Sequence, residues 1–306
     1  MTSPNKTIAV TGGTGFIGAS LLSQLRDGPL QIRALTRRDQ ADRSVDWIKG
    51  DLDNDGTLKT LVANADIVIH IAGLTKAPNR KTLFSANAEA AGRLARHAAA
   101  AGVTRFVLVS SLAAREPHLS PYAASKRGGE DAVRALKGDM EVVIVRPPAI
   151  IGPGDDATAQ MLDAMKRGWL PVPGGATRKE TRLSFMYVDD IARFILRQVD
   201  GPYTIHPLEP VSETDGISWQ MLATTASAIL SKPVRQLPVS PVILFPAAFL
   251  TEAVCALFGQ STFFNTGKVR EMLHSDWTGS NVMDGARPFK DSLALAFGQD
   301  IANDEA

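Results

Sequence analysis

Residues 8–18 read Ile-Ala-Val-Thr-Gly-Gly-Thr-Gly-Phe-Ile-Gly, and this stretch decides the fold. A short apolar run opens it, as in a buried parallel strand, and residues 19–26 carry leucines at helical spacing. Between them, Gly12 permits a tight turn, Gly15 lets the backbone approach a pyrophosphate, and Gly18 lets the helix pack on the strand. The helix N-terminus adds N–H groups that attract phosphates. The stretch therefore predicts a dinucleotide-binding strand–turn–helix unit, and a glycine-rich turn without a ligand is the alternative.

Apolar strands and amphipathic helices continue to alternate after this stretch. The alternation predicts an α/β fold, a doubly wound parallel sheet of the Rossmann type, with a smaller, mostly helical C-terminal substrate lobe. We assign 1–151 and 183–201 to the NADP-binding domain, and 152–182 and 202–306, where the alternation loosens, to the substrate-binding lobe. After the first strand, the predicted strands are 30–36, 47–52, 66–73, 105–110, 141–146 and 186–190, and the predicted helices are 82–101, 122–136, 157–167 and 190–198.

Composition excludes several classes of function. The chain has 306 residues and a net charge of +1, so no nucleic-acid-binding surface is expected. Cys255 is the single cysteine and the five histidines are scattered, so neither an intramolecular disulfide nor a metal site is expected. Residues 1–6 are polar and do not resemble a signal peptide. A reducing, cytoplasmic setting is the simplest expectation, and the oligomeric state is left open between monomer and homodimer.

The end of the predicted second strand indicates which dinucleotide is bound. An NAD enzyme places an acidic residue roughly 20 residues beyond the glycines, where its carboxylate binds the ribose 2′-OH. This chain has Thr36 there, followed by Arg37 and Arg38. Two guanidinium groups suit a 2′-phosphate, so the sequence predicts NADP(H) in preference to NAD(H), with a solvated arginine pair as the alternative. Asp51, which ends the predicted third strand, has a carboxylate suited to accept from the adenine amino group.

Tyr122, Lys126 and Ser111 are candidates for acid–base chemistry. Tyr122 and Lys126 are four residues apart on a predicted helix and therefore share one face. An ammonium group there favours the phenolate and lowers the pKa of the tyrosine toward the working range. Ser111 follows the fifth strand, where open α/β sheets place their sites. The three suit hydride transfer to or from a carbonyl, and two exposed helix residues are the alternative. His70, inside the apolar fourth strand, is predicted to be a core residue.

Eight short stretches form a family signature: 11–18, 51–52, 70–73, Asn87, 110–111, 122–126, 146–153 and 187–190. Together they resemble the extended short-chain dehydrogenase/reductases, the NAD-dependent epimerase/dehydratase family. The resemblance implies Ser111, Tyr122 and Lys126 as the catalytic trio, with Tyr122 as proton donor and Lys126 also holding the nicotinamide ribose. It implies that residues 147–150 line the nicotinamide. The expected cofactor contacts are Gly12, Thr14, Gly15, Phe16, Ile17, Gly18, Arg37, Arg38, Asp51, Leu52, Ile71, Ala72, Gly73, Asn87, Tyr122, Lys126, Pro147, Ala149 and Ile150.

Two departures from the nucleotide-sugar members of this family bear on the substrate. Those members usually carry an asparagine where this chain has Pro148, and often an Arg-Asp pair where it has Leu183 and Ser184. The chain is more similar to the branch with hydroxysteroid dehydrogenases, flavonol-type reductases and the complex I accessory subunit. The resemblance predicts an NADP(H)-dependent oxidoreductase that interconverts a ketone and a secondary alcohol on an apolar, lipid-like substrate, with reduction favoured. A nucleotide-sugar epimerase/dehydratase and a non-catalytic cofactor-binding subunit of a larger complex are the alternatives.

A long apolar stretch, residues 239–258, also bears on the substrate. A transmembrane helix needs about 20 apolar residues, but Pro241, Pro246 and Glu252 argue against a span. A helix that lines an apolar pocket of the substrate lobe is the expected role. The alternative is a peripheral membrane contact, in which the helix lies in a membrane surface.

Overall fold

The chain divides into two compact units. The structure, a computed structural model, describes residues 6–26, 28–136, 138–174 and 181–300, so most of the segment that we compared with a signal peptide lies outside it. The first unit is Met1–Arg146 with Ile191–Leu208, and the second is Pro147–Asp190 with Glu209–Ala306. The sequence analysis placed these boundaries at 152, 183 and 202, and the assignment of one unit to the cofactor and the other to the substrate stays a prediction.

The first unit alternates strands and helices. Its elements are β1 Thr7–Thr11, α1 Phe16–Leu25, β2 Gln31–Thr36, β3 Asp46–Lys49, α2 Asp55–Val62, β4 Ile67–His70, α3 Arg80–Phe84, α4 Ala90–Ala100, β5 Arg105–Val109, α5 Pro121–Arg134 and β6 Glu141–Val145. A π-helical turn, Ser85–Glu89, joins α3 to α4, and a short 3-10 helix, Leu112–Arg115, follows β5.

The six strands described for this unit form one parallel sheet in the order β3-β2-β1-β4-β5-β6. Strand β1 is central, and its Ile8 pairs with Ile32 of β2 on one side and Ile67 of β4 on the other. The order of the strands reverses between β1 and β4. Ligands of doubly wound sheets bind at the carboxyl ends of the strands at this point. The sheet confirms the predicted Rossmann-type α/β fold.

Helices bury the sheet and thereby explain the apolar runs in the sequence. On one face, Ala9 of β1 and Val68 of β4 pack in a core with Leu58 and Leu61 of α2 and Leu94 of α4. All four residues of β4 are buried, as expected for a parallel strand with both faces covered.

Two predicted elements of this unit differ in the structure. The single helix predicted over 82–101 begins at Arg80 and is interrupted by the π-helical turn that contains Asn87. The third strand ends at Lys49, so Asp51 does not end a strand as predicted. Instead, Gly50 donates to the Thr36 carbonyl (2.9 Å), and the Asp51 carbonyl accepts from Asn54 N (3.2 Å), which caps α2. The Gly50 bond continues the pairing of β3 with β2, and the turn into α2 begins at Asp51.

The second unit contains short parallel strand pairs as well as the predicted helices. Its elements are β7 Ala149–Ile151, α6 Ala159–Lys166, β8 Trp169–Pro173, β9 Arg182–Leu183, β10 Phe185–Tyr187, α7 Val188–Arg197, β11 Pro210–Val211, α8 Trp219–Leu230, β12 Arg235–Val239, α9 Pro241–Leu257, α10 Thr266–Leu273, β13 Asp276–Trp277, β14 Asn281–Val282 and α11 Phe289–Ala296. Helix α7 begins in the second unit and continues into the first. The strands pair as β7–β10, β8–β12, β9–β13 and β11–β14. Such two- to five-residue strands leave too little periodicity for a sequence pattern to detect.

The apolar stretch 239–258 forms helix α9, which packs on α10. Leu244 and Ala248 are buried in a small core with Val269 of α10. The opposite side of α9 is exposed, and a role of the stretch in lining an apolar pocket stays a prediction. Within the described residues, no helix is both long and apolar enough to cross a bilayer.

Candidate functional site

The glycine turn lies against the end of β4. Gly12 has a positive φ of 76°, and a Cβ atom added there would lie 2.6 Å from the backbone nitrogen of Ala72. A Cβ atom on Gly18 would collide with the Gly12 carbonyl oxygen and lie 2.7 Å from the Gly13 Cα. Only glycine permits this conformation at Gly12 and this close approach at both positions. The sequence therefore dictates a close contact among β1, α1 and the residues that follow β4.

The start of α1 is open to an anion. Gly15 stands at the N-cap position, no side chain caps the helix, and a Cβ atom on Gly15 would meet only the Gly12 carbonyl oxygen, at 3.3 Å. The first N–H groups of a helix have no intrahelical acceptor, and the helix dipole favours negative charge there. Thr14 and Gly15 are exposed, whereas Phe16 and Ile17 are half-buried. These residues could hold the pyrophosphate of a dinucleotide, and this role stays a prediction.

Two arginines follow β2 in a turn that Thr36 holds. The buried Thr36 hydroxyl donates to the Arg38 carbonyl oxygen (2.7 Å) and accepts from Arg38 N (3.2 Å), so it holds the turn. Arg37 and Arg38 are exposed. Neither guanidinium group makes a hydrogen bond or ion pair with another residue that the structure describes, whereas neighbouring Asp39 is paired with Lys49 (2.8 Å). The turn therefore presents two uncompensated positive charges.

The loop that follows β4 is held by Asn87. The Asn87 side chain accepts from Leu74 N (2.7 Å) and donates to the Leu74 carbonyl oxygen (2.8 Å) and to Ser125 Oγ (2.9 Å). A Cβ atom on Gly73 would lie 2.8 Å from Asn87 Oδ1 and 3.7 Å from Lys126 Nζ. The π-helical turn thus brings Asn87 to the loop and to α5. Of the other predicted contacts here, Ile71 and Ala72 are half-buried and Gly73 is exposed.

Asp51 and Leu52 lie in the turn between β3 and α2. Asp51 is exposed, and Leu52 is half-buried against the core. The Leu52 carbonyl oxygen accepts from Arg93 (3.2 Å), which also pairs with Asp53 (2.8 Å). The exposed carboxylate of Asp51 stays a predicted adenine contact.

Helix α5 begins where the predicted chemistry requires it. Ser120 accepts from Ala123 N (3.0 Å) and Pro121 occupies the first helical turn, so both ordinary helix-start signals are present. Tyr122 therefore lies in the first turn, half-buried, with Lys126 one turn further along. Ser125 Oγ donates to the Tyr122 carbonyl oxygen (2.8 Å), which connects Tyr122 to the Asn87 contacts.

Lys126 is a buried cation at the end of β5. Its side chain is 9% exposed, and Nζ donates to the Val109 carbonyl oxygen (2.8 Å). Burial lowers the pKa of Lys126 from 10.5 to about 8, and the Glu130 carboxylate one turn further along opposes this shift. The ammonium group is therefore still protonated at neutral pH, and it belongs to the helical turn that follows Tyr122.

Ser111 and Ser110 are used differently. Ser111 caps the 3-10 helix that packs against α5, and its Oγ accepts from Ala113 N (3.2 Å). Ser110 Oγ donates to Glu130 Oε1 (2.5 Å), away from solvent. Ser111 thus lies at the start of the 3-10 helix that packs against α5, the helix that carries Tyr122 and Lys126. Ser110 is instead part of the core.

His70 is a buried, neutral residue beneath the site. Its Nδ1 lies 2.6 Å from Thr11 Oγ1, and its Nε2 has no hydrogen-bond partner among the described residues. Burial, with a smaller contribution from the Lys126 charge, lowers the pKa of His70 to about 3. These features agree with the predicted core role.

The comparisons with known proteins assign the chain to a family. The model of the NAD-dependent epimerase/dehydratase family matches residues 8–207. The chain belongs to this family. It is 36% identical to the ceramide reductase of Caulobacter vibrioides over 97% of this chain and 92% of that protein. It is also 27% identical to the UDP-glucose 4-epimerase of Vibrio cholerae over 76% of this chain and 79% of that protein.

The solved structures agree with this assignment. The crystal structure of gox2253 matches with a TM-score of 0.71 and 22% identity, over 96% of this chain and 97% of that one, which supports the fold. As a member of the epimerase/dehydratase family with a reductase relative along its whole length, the chain is an NAD(P)-dependent oxidoreductase that binds a nicotinamide dinucleotide. The predicted family resemblance is confirmed.

The sequence analysis did not predict the buried ion pair between Glu130 and Arg146. Arg146, at the end of β6, donates from Nε to Glu130 Oε1 (2.9 Å) and from a terminal nitrogen to Oε2 (2.7 Å). Glu130 thereby joins the ends of β5 and β6 to α5. A signal was present, since Tyr122, Lys126 and Glu130 follow one another at intervals of four residues on one helix face.

The remaining predicted cofactor residues belong to the second unit. Pro147 precedes β7, and Ala149 and Ile150 are part of β7, where they pair with Phe185 and Met186 of β10. Their roles stay predictions.

Proposed function

We propose that this oxidoreductase uses NADPH to reduce a ketone on an apolar, lipid-like substrate to a secondary alcohol. The observation that carries the proposal is the arrangement on α5: Tyr122 lies in the first turn, and the buried ammonium of Lys126 lies one turn away. A phenol beside a fixed positive charge is suited to transfer a proton near neutral pH. The relative with the reductase name supports the direction of the reaction.

Each group has a separate part in this proposal. The bound nicotinamide supplies the hydride. Tyr122 donates the proton to the substrate oxygen, and Lys126 stabilises the phenolate that remains. Ser111 binds the same oxygen and orients the carbonyl. Asn87 and Ser125 hold the first turn of α5 in place through the Tyr122 carbonyl.

The preference for NADPH is proposed from the turn after β2. Arg37 and Arg38 are exposed there, and within the described chain neither has a partner whose loss would oppose phosphate binding. Arginine binds phosphate well because its planar guanidinium group donates two parallel hydrogen bonds.

Features of the second unit support an apolar rather than a nucleotide-sugar substrate. Leu183 packs in the core of that unit, and Ser184 is buried, where its Oγ accepts from Gly279 N (3.3 Å). Neither offers a charge to a diphosphate, whose desolvation would then be uncompensated. The end-to-end similarity to a ceramide reductase supports a long-chain substrate.

A thermal-shift panel on the NADPH-bound protein tests this proposal. Ligands that bind the folded protein raise its thermal midpoint. We expect a ceramide oxidised to its ketone, and other long-chain or polycyclic ketones, to raise the midpoint, and UDP- and dTDP-sugars to leave it unchanged. A shift with a nucleotide sugar and none with the ketones would favour the epimerase alternative, for which the Vibrio cholerae relative is the supporting observation.

A further inference from the structure

Helix α9 has apolar residues on all sides, although the protein covers only one of them. Leu244 and Ala248 face the small core with α10. Val242, Phe249, Leu250 and Leu257 recur at the spacing of a single helix face, and each is at least 65% exposed. A helix that is hydrophobic all round is normally buried all round, in a large core or in a membrane. The exposed side therefore lacks the cover that its composition requires.

No charge lies on this exposed face. Glu252 is the single charged residue of α9, and its carboxylate accepts from Thr266 N (3.2 Å) and Thr266 Oγ1 (3.0 Å) at the start of α10. The carboxylate thus fixes α9 to α10. The helical hairpin is therefore formed in advance, and the exposed face is presented without further folding.

The strand pair that leads into α9 carries side chains suited to a membrane interface. Strand β12 leads directly into α9, and Arg235, at the opposite end of β12, is the register partner of Trp169 on β8. Trp169 and Leu237 are each 48% exposed. Tryptophan and arginine are enriched where a protein meets the headgroup region of a bilayer, because each has an apolar body and a polar end.

Basic residues of α10 and β12 complement an anionic surface. On α10, Glu271 is buried and paired with Lys268 (3.0 Å), whereas Arg270 is exposed. Neither Arg235 nor Arg270 has an ion-pair partner in the part of the chain that the structure describes. Basic side chains near a bilayer are attracted to its anionic lipids.

We propose that α9 docks on an anionic lipid surface, with the helix lying in the interface and its exposed face inserted among the acyl chains. The inserted residues are Val242, Ile243, Phe249, Leu250, Val254 and Leu257. A lipid surface suits this face better than a protein partner. Protein interfaces include about one hydrogen bond per 100–200 Å², and this face offers only apolar side chains. A 17-residue helix is about 25 Å long, which suits a position in the interface rather than a span of the bilayer. The proposal does not depend on the proposed substrate.

Vesicle binding by the whole chain tests this proposal. The probes are phosphatidylcholine vesicles with and without phosphatidylglycerol, and the bound fraction is measured by flotation. We expect the wild type to bind the anionic vesicles, and the Phe249→Glu/Leu250→Glu double variant to lose at least about tenfold in partitioning, because two apolar side chains no longer insert. The Arg235→Gln/Arg270→Gln variant should weaken binding to anionic vesicles and reduce its dependence on salt.

A matched control separates insertion from general surface hydrophobicity. Ile205 is 69% exposed, close to the 67% of Phe249, but lies outside α9. Ile205→Glu should bind vesicles like the wild type, and unchanged thermal midpoints should show that all variants are folded. Absence of binding, or binding that survives Phe249→Glu/Leu250→Glu, would overturn the proposal. A wild type that sediments as a dimer and becomes monomeric in that double variant would assign the face to a second copy of the chain instead.

Discussion

Replacing Lys126 with methionine should stabilise the protein while it removes turnover. Because burial lowers the pKa of Lys126 from 10.5 to about 8, the folded chain holds this proton less tightly than the unfolded chain. Below pH 8 both states carry the charge, and the folded state bears the full cost, about 3 kcal/mol at 1.36 kcal/mol per pKa unit. Methionine has a similar length and no charge, but it leaves the Val109 carbonyl oxygen without its donor, which costs about 1–2 kcal/mol. The net gain is about 1–2 kcal/mol.

The sign of the pH dependence provides a second test of this prediction. As pH rises from 8 to 10.5, the folded wild type loses the Lys126 proton while the unfolded chain keeps it, so the penalty decreases. The advantage of Lys126→Met should therefore be full below pH 8 and should reverse above pH 10.5, where the charge penalty is gone and only the lost hydrogen bond to the Val109 carbonyl remains, about 1–2 kcal/mol.

Thermal unfolding of the cofactor-free protein measures both effects. At neutral pH, the midpoint of Lys126→Met should exceed that of the wild type by about 2–8 °C for a domain of this size. The matched control is Lys59→Met, because Lys59 is exposed and its replacement removes a charge without relieving a buried one. A variant less stable than the wild type at neutral pH, or an advantage independent of pH, would refute the reasoning.

Three further predictions follow from the same contacts. Tyr122→Phe should bind NADPH as the wild type does and lose at least about 100-fold in turnover, because only the transferable proton is removed. Equal turnover in the two proteins would contradict the role assigned to Tyr122. Arg37→Ala should weaken NADPH binding at least about tenfold without changing NADH binding, as measured by fluorescence titration. The control is Arg96→Ala, which replaces an exposed arginine on α4 and should change neither affinity. Equal NADPH affinity in Arg37→Ala and the wild type would remove the argument for NADPH. Glu130→Ala should lower the unfolding free energy by about 3–5 kcal/mol, because the buried Arg146 loses the Glu130 carboxylate. Loss of the exposed Asp39–Lys49 pair in Asp39→Ala should cost less than about 1 kcal/mol, and similar losses in denaturant titrations of the two variants would contradict the importance of the buried pair.

Local physics made most of the first unit predictable. The glycine spacing, the apolar strands and the cap of α5 each act over a few residues, so a sequence pattern contains them. Gly12 illustrates this, because its positive φ and its contact with Ala72 follow from the absence of a side chain. The position of Tyr122 and Lys126 on one helix face also followed from spacing alone.

Interactions between distant residues set the rest. Asp51 was predicted at a strand end, but β3 ends at Lys49 because the turn that leads to the cap of α2 begins at Asp51. The π-helical turn at Asn87 gives no signal in an alanine-rich helix, and its contacts with Leu74 and Ser125 depend on the packing of α5. The exposed side of α9 was hidden for a similar reason: the apolar pattern is continuous, and only the packing on α10 shows which side the protein covers.

The proposed reaction is tested most directly by product formation. The wild-type protein is supplied with NADPH and a ceramide oxidised to its ketone, and the alcohol formed is quantified by mass spectrometry together with the NADPH consumed. We predict one secondary alcohol for each NADPH oxidised, and a much slower reaction with NADH. Absence of the alcohol from this and other long-chain ketones, together with interconversion of a UDP-sugar without net consumption of the cofactor, would contradict the account.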